Sequence, residues 1–304
     1  MRTLILSDIH QRIHRAQAII ESVPHDKVVL LGDYFDNYQE RVEQTEATAV
    51  WLKEYILPNP KIVPLIGNHD NPYFFRGNPN LQCSGFTFEK NAVISKHLSE
   101  EDVAKFKLYH IDQGHVLSHA GLTNPLWKTL TRGLFENDTR PKLEQFDEVV
   151  SCCATQAIAE AKNDGNPELL AAGWDRGGYQ RHGGINWVDW RNFAPINGVN
   201  QIVGHSIHKV PQILLQKDGG AISKKSVVEH YELLGVIRKH NQYYEHKIKI
   251  DATYLSVSYA IDTQSNHYAV IENGVVDIYD YVNNVNLKDL GATYIPESSL
   301  NNLS

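Results

Sequence analysis

Five short clusters of Asp, His and Asn recur along the chain: Asp8-Ile9-His10, Gly32-Asp33-Tyr34-Phe35-Asp36, Gly67-Asn68-His69-Asp70, Ser118-His119-Ala120-Gly121 and Val203-Gly204-His205-Ser206. Carboxylate oxygens, amide oxygens and imidazole nitrogens together suit divalent cations such as Mn, Fe, Zn or Co. The same side chains serve in acid–base chemistry. Singly, each cluster has an ordinary explanation. Asp33 suits a helix N-cap, Gly67 to Asp70 suits an Asx-type turn with a solvated His, and a lone histidine is more often structural than a ligand. Asp8 and His10, two apart on a strand, face the same side and can converge on one cation. Jointly, five such clusters in order, each at the end of a strand candidate, point to one metal site.

The elements that would position them follow from the apolar pattern. Strand candidates are Thr3 to Leu6, Lys27 to Leu31, Lys61 to Ile66 and His115 to Leu117, and helical spacing marks Arg12 to Val23 and Glu40 to Leu57, the second closed by Pro58-Asn59-Pro60. Strands alternating with helices predict a sheet with crossover helices, its ligands on the rim at the carboxyl ends of the strands. A further helix is expected near Leu143 to Ala161, followed by a loop through Gly173-Trp174-Asp175-Arg176-Gly177-Gly178. Strand-like runs return at Gln201 to Val203, Gln212 to Leu215, Thr253 to Ala260, His267 to Ile271 and Val275 to Tyr281, with Asn273-Gly274 as a hairpin turn. These predict a second sheet. Residues 216–250 show no clear period, and the tail after Gly291 is polar.

Composition narrows the class. The chain has 304 residues, 42% hydrophobic and 21% charged, which suits an ordinary globular protein. It reads as a single domain over 1–304 with substrate-surround insertions near 123–195 and 216–250. A net charge of −7 argues against stable nucleic-acid binding. No apolar run is long enough for a membrane span, and the apolar start reaches Asp8 too soon for a signal peptide, so a cytoplasmic protein is expected. The three cysteines, Cys83, Cys152 and Cys153, cannot build a disulfide framework or a Cys-x-x-Cys site. Fifteen histidines against one methionine favour metal or acid–base chemistry.

With these motifs in hand, the sequence resembles the calcineurin-like metallophosphoesterases, and within them the phosphoprotein phosphatase branch. The family pattern runs Asp-x-His, Gly-Asp-x-x-Asp-Arg-Gly, Gly-Asn-His-Glu/Asp, His-Ala/Gly-Gly and Gly-His. Near the end, Tyr259-Ala260-Ile261-Asp262-Thr263 and Tyr268-Ala269-Val270 are similar to the closing strand and hairpin of bacterial members, so the resemblance spans about residues 1–281. It implies a four-layer α/β (α+β) fold, a central β-sandwich flanked by helices. It also implies two divalent ions, manganese first among Mn, Fe, Zn and Co. Asp8, His10 and Asp33 would hold one ion, and Asp33, Asn68, His119 and His205 the other. A bridging hydroxide would attack a phosphoester in line, without a phosphoenzyme. His69 would stabilise or protonate the leaving oxygen, oriented by Asp36. Asp70 is expected to cap the segment that follows it, and His208 falls outside the ligand set.

One departure bears on substrate. The branch carries Arg directly after the second Asp of its second motif, where a guanidinium grips phosphate in a bidentate fork; here stands Asn37. Arg176 and Arg191 are the candidate replacements. A phosphomonoesterase acting on phosphoproteins or nucleotides leads, and a phosphodiesterase or dinucleoside polyphosphate hydrolase is the alternative. An inactive scaffold is the remote one, disfavoured because all six proposed ligands and His69 are present. Trp174, Trp187 and Trp190 would stack on a base or serve as packing anchors.

Overall fold

The computed structural model describes residues 1–37, 41–132, 134–135, 138–217, 222–227, 236–239, 242–245, 254–281 and 285–287. The chain opens with two strand–helix–strand units. Strand β1 (Arg2–Leu6) leads through α1 (Ile13–Ser22) to β2 (Lys27–Leu30), and α2 (Val42–Trp51), prolonged by a π-helical turn at Leu52–Ile56, leads to β3 (Ile62–Pro64). Pro58 stops that helix, as a residue without an amide hydrogen should. Short α3 (Asn71–Phe74), α4 (Phe88–His97) and α5 (Glu100–Val103) follow, then the hairpin of β4 (Tyr109–Asp112) and β5 (His115–Ser118). Beyond lie α6 (Asn124–Thr131), the long α7 (Lys142–Ala161), β6 (Asn200–Val203), β7 (Gln212–Lys217) and β8 (Ile222–Ser226). The chain continues with β9 (Val236–Lys239) and β10 (Gln242–Glu245), paired with each other, and with β11 (Tyr254–Ala260), β12 (His267–Glu272), β13 (Val275–Asp280) and β14 (Val285–Asn286).

Two mixed six-stranded sheets result, in the orders β14-β13-β12-β1-β2-β3 and β4-β5-β6-β11-β7-β8. Alternation of side chains along each strand sets the layers. On β1 and β2, Leu4, Leu6, Val28 and Leu30 face the helices, whereas Ile5, Val29 and Leu31 enter the layer between the sheets, where they meet Leu117, Ile202, Ile213 and Leu215. Strands buried on both faces read as continuous apolar runs, as here. The outer face of the second sheet is covered by Val188, Trp190 and Phe193, packed on Val203, Leu214 and Ala260.

The sequence expectations need regrouping. The strand at 115–118 pairs with β6 in the second sheet, and the late hairpin β12–β13 joins β1 antiparallel in the first. Local apolar pattern marks strands but does not specify a partner as remote as Glu272 is from Arg2. Parallel β1-β2-β3 and parallel β5-β6 therefore bring five motifs to one rim from two sheets. The polar tail after Gly291 and much of 216–250 lie outside the described residues. None of the described helices is long and apolar enough to cross a membrane.

Candidate metal centre

Each motif turns sharply at the end of its strand. Asp8, His10, Asp33, Asp36 and His205 all adopt left-handed backbone conformations, with φ of 50°, 40°, 55°, 65° and 65°. Asp and His tolerate this region better than most residues, but five such positions around one cleft are strained geometry held by the surrounding fold. The glycines let these loops nest. A Cβ at Gly67 would run into the carboxylate of Asp33, and one at Gly204 into that of Asp8.

The imidazoles are fixed from behind. His10 Nδ1 donates to Phe35 O at 2.8 Å and His119 Nδ1 to Leu31 O at 3.0 Å, since a carbonyl can only accept. In the neutral rings, each Nε2 lone pair then faces inward, the arrangement of metal-ligating histidines. Asp33 Oδ2 lies between them, 3.6 Å from His10 Nε2 and 3.4 Å from His119 Nε2. Asn68 Oδ1 is 2.9 Å from His119 Nε2 and 2.8 Å from His205 Nδ1, and the two ring nitrogens are 3.2 Å apart. Asn68 Oδ1 and His119 Nε2 thus offer two lone pairs at one point, and His205 Nδ1 adds a third in the tautomer that protonates Nε2. A cation resolves that convergence, and the donor set fits a divalent ion. Among the described residues, His205 Nε2 is buried without a hydrogen-bond partner, so this ring is held by its Nδ1 side and by the edge of Trp187, 5.9 Å away between centroids.

Asp8 accepts from His205 N at 3.1 and 3.2 Å, tying the first motif to the fifth. Among the described residues, Asp8, His10 and Asp33 form one group able to hold an ion, and Asp33, His119 and His205 another. Burial, with the Asp262 carboxylate next, pushes Asp8 well above the ordinary carboxyl range. Burial would also raise Asp33, but the charges of His119 and His69 outweigh it and hold this carboxyl low. Burial would lower His119, yet Asp33 pushes it up to about 9; burial and the His119 charge hold His205 well below its usual value. The buried carboxylates favour a positive charge in their midst.

His69 stands beside this cluster. Its Nδ1 is 3.2 Å from Asp36 Oδ2 and 3.4 Å from Cys83 Sγ, while its backbone N donates to Asp33 Oδ1 at 2.9 Å. Burial would lower its pKa, but Asp33 and then Asp36 overcome this and push it up to about 12. Asp36 is itself anchored, its Oδ1 accepting from Tyr73 Oη at 2.7 Å and from Lys90 Nζ at 2.8 Å. No motif points to Tyr73, Cys83 or Lys90, which arrive from α3, α4 and the segment between them.

Asp70 corrects an expectation. It occupies the N-cap position of α3, but its side chain caps no amide there. It accepts instead from Asp33 N and Gly67 N at 2.8 Å and from Tyr34 N at 2.9 Å, clamping the second motif to the third. Asp262 lines the cleft beside these groups, a position whose role its motif alone did not suggest.

The cleft above the cluster has a volume of about 630 Å³ and includes Arg176, Tyr179 and Trp187 in its wall. Arg176 Nη2 pairs with Asp189 Oδ2 at 2.9 Å. Arg191 binds the same carboxylate through Nε at 3.1 Å but lies outside the cleft lining, with 78% of its side chain exposed. Trp190 is a packing anchor, buried and stacked on Phe193, whereas Trp174 is exposed. Among the described residues, His208 is in none of the groups able to hold an ion.

The family model described as calcineurin-like phosphoesterase matches residues 1–209. No curated protein matches the chain. Among solved structures, the cold-active protein-tyrosine phosphatase of the psychrophile Shewanella sp. is similar at 12% identity and TM-score 0.48, over 92% of this chain and 78% of that one. A metallophosphoesterase from Sphaerobacter thermophilus is similar at 15% identity and TM-score 0.38, over 92% and 87%. The phosphoesterase Yfce from E. coli is similar at 10% identity and TM-score 0.36, over 94% and 96%.

Proposed function

The chain belongs to the calcineurin-like phosphoesterase family, hydrolases of phosphoric esters, and from that premise we propose that it is a metal-dependent phosphomonoesterase acting on a phosphoprotein or a nucleotide. The observation that carries this reading is the convergence of Asp33 Oδ2, Asn68 Oδ1, His119 Nε2 and His205 Nδ1 at the floor of an open cleft. Asp8, His10 and Asp33 would hold one divalent ion, manganese first, and Asp33, Asn68, His119 and His205 a second. Bound there, such ions supply Lewis acidity toward phosphoryl oxygens and lower the pKa of water to about 7.

The remaining work falls to the chain's own groups. His69 donates Nδ1–H to Asp36 Oδ2, which leaves the transferable proton on Nε2 for the departing oxygen. Tyr73 and Lys90 hold Asp36 in place and so fix the ring. Arg176, on the cleft wall and braced by Asp189, takes the phosphate-gripping role that Asn37 cannot fill. Arg191, exposed and outside the lining, is the weaker candidate for that role. We take the chain as one domain in which 123–195 and 216–250 surround the substrate, the first contributing Arg176 and Trp187.

Asn37 in place of the family arginine favours the second reading, a phosphodiesterase or dinucleoside polyphosphate hydrolase. Hydrolysis of p-nitrophenyl phosphate and bis-p-nitrophenyl phosphate, side by side with added manganese, separates the two. Preference for the monoester, with KM raised by Arg176→Ala and unchanged by Arg191→Ala, is the expected result. Preference for the diester would replace the first reading by the second.

A further inference from the structure

Next to the proposed ligand cluster, among the described residues, a separate group of metal-binding side chains is assembled from Asp36, His69 and Cys83. Its atoms lie within about 0.1 Å of ligand spacing. A tetrahedral zinc ion, with bonds of about 2.0–2.2 Å to N and O and about 2.3 Å to S, places N and O about 3.3–3.5 Å apart and N and S about 3.5–3.6 Å apart. His69 Nδ1 is 3.2 Å from Asp36 Oδ2 and 3.4 Å from Cys83 Sγ. Lys90 and Tyr73 both bind Asp36 through Oδ1, which leaves Oδ2 turned toward the imidazole. His69 and Cys83 line the open cleft, so an ion can enter and a water can complete its shell. Once the thiol is ionised, as a bound metal ensures, Asp36 and Cys83 outweigh the single charge of Lys90. In that ligating state, with His69 neutral, the side chains carry a single net negative charge, and to reach it the incoming ion displaces one proton from Cys83 and one from His69, which Asp33 and Asp36 otherwise hold charged.

We propose that Asp36, His69 and Cys83 form an inhibitory site for zinc, or a similarly thiolate-preferring divalent ion, distinct from the ions of the phosphoesterase centre. The thiolate sets its selectivity, because the proposed ligands of the main centre contain only oxygen and nitrogen and suit harder ions equally well. Occupancy replaces the Nδ1–H of His69 by a metal bond and takes Asp36 Oδ2 as a ligand. Both the charge and the orientation that equip His69 to deliver a proton are lost. Metal binding at this site is independent of the phosphoesterase reading; the inhibition rests on it.

Cobalt(II) serves as probe, because a near-ultraviolet thiolate-to-cobalt charge-transfer band reports a sulfur ligand and the main centre has none. The manganese-loaded protein is titrated with cobalt for the band and, separately, with zinc for inhibition of p-nitrophenyl phosphate hydrolysis. Wild type and Cys152→Ser/Cys153→Ser should both show the band and the inhibition. Cys83→Ser should lose the band, and its half-inhibitory zinc concentration should rise by about tenfold or more, the scale on which metal sites respond to loss of a supporting group. A band that survives in Cys83→Ser, or none in wild type, overturns the site. Equal zinc inhibition of wild type and Cys83→Ser overturns its inhibitory role. If the manganese-loaded protein hydrolyses neither ester, the phosphoesterase reading fails on its own while the cobalt band still decides the site.

Discussion

His69 illustrates how one residue is tuned by neighbours that do not touch substrate. Three groups surround its inner face: Asp33 through the backbone amide, Asp36 through Nδ1, and Cys83 beside the same nitrogen. An imidazole buried alone would lose its proton, but these carboxylates hold it charged, as the proton-donor role proposed for it requires. His69→Asn should therefore lower turnover by about 10²–10⁴ while leaving manganese content at the wild-type level, because its ring is not among the proposed ligands of the phosphoesterase centre. Steady-state kinetics and elemental analysis of one preparation check this. Undiminished turnover would remove His69 from the mechanism. The family resemblance made His69 and Asp36 legible as a pair; Cys83, Tyr73 and Lys90 were not, because their approach depends on how α3 and α4 fold back over the second motif.

At the scale of elements, the strand ends and their loops were legible because glycine next to Asp, Asn or His has few uses other than a tight polar turn. What holds one loop against another was not. Asp70 reads locally as a cap for α3, yet three amides of the second and third motifs compete for its carboxylate and win. Its amide isostere can still accept through one oxygen but presents an N–H where a second acceptor is needed. Asp70→Asn should weaken metal binding by about 10–100-fold, as loss of an outer support does, and calorimetric titration with manganese measures it. Unchanged affinity would show that the two loops hold their positions without this clamp. Sheet membership was equally hidden: nothing in the apolar run at 115–118 states that it pairs with β6 rather than β3.

Across the whole molecule, the rim is a joint product of both sheets, with Asp8, Asp33 and Asn68 from one and His119 and His205 from the other. The first sheet is completed by β12, whose first residue, His267, is buried with Nδ1 2.9 Å from Thr263 Oγ1. Burial lowers its pKa to about 4 although Asp280 opposes the shift. A group depressed on folding adds stability above its unfolded value of about 6.5, and that contribution is lost as pH falls toward 4. Each unit of displacement is worth about 1.4 kcal/mol. Metal-free protein should lose stability between pH 6.5 and 4, and His267→Gln should flatten that slope in urea unfolding; an identical slope would exclude His267 as the cause.

If residues from two sheets share one metal cradle, hydrolysis depends on that cradle. The direct measurement is metal content and p-nitrophenyl phosphate turnover on the same samples of manganese-reconstituted wild type and Asp33→Asn. Wild type should bind two equivalents and turn over with manganese, and Asp33→Asn, whose carboxylate lies between His10 and His119, should lose both together. Full metal content and full turnover in Asp33→Asn would contradict it.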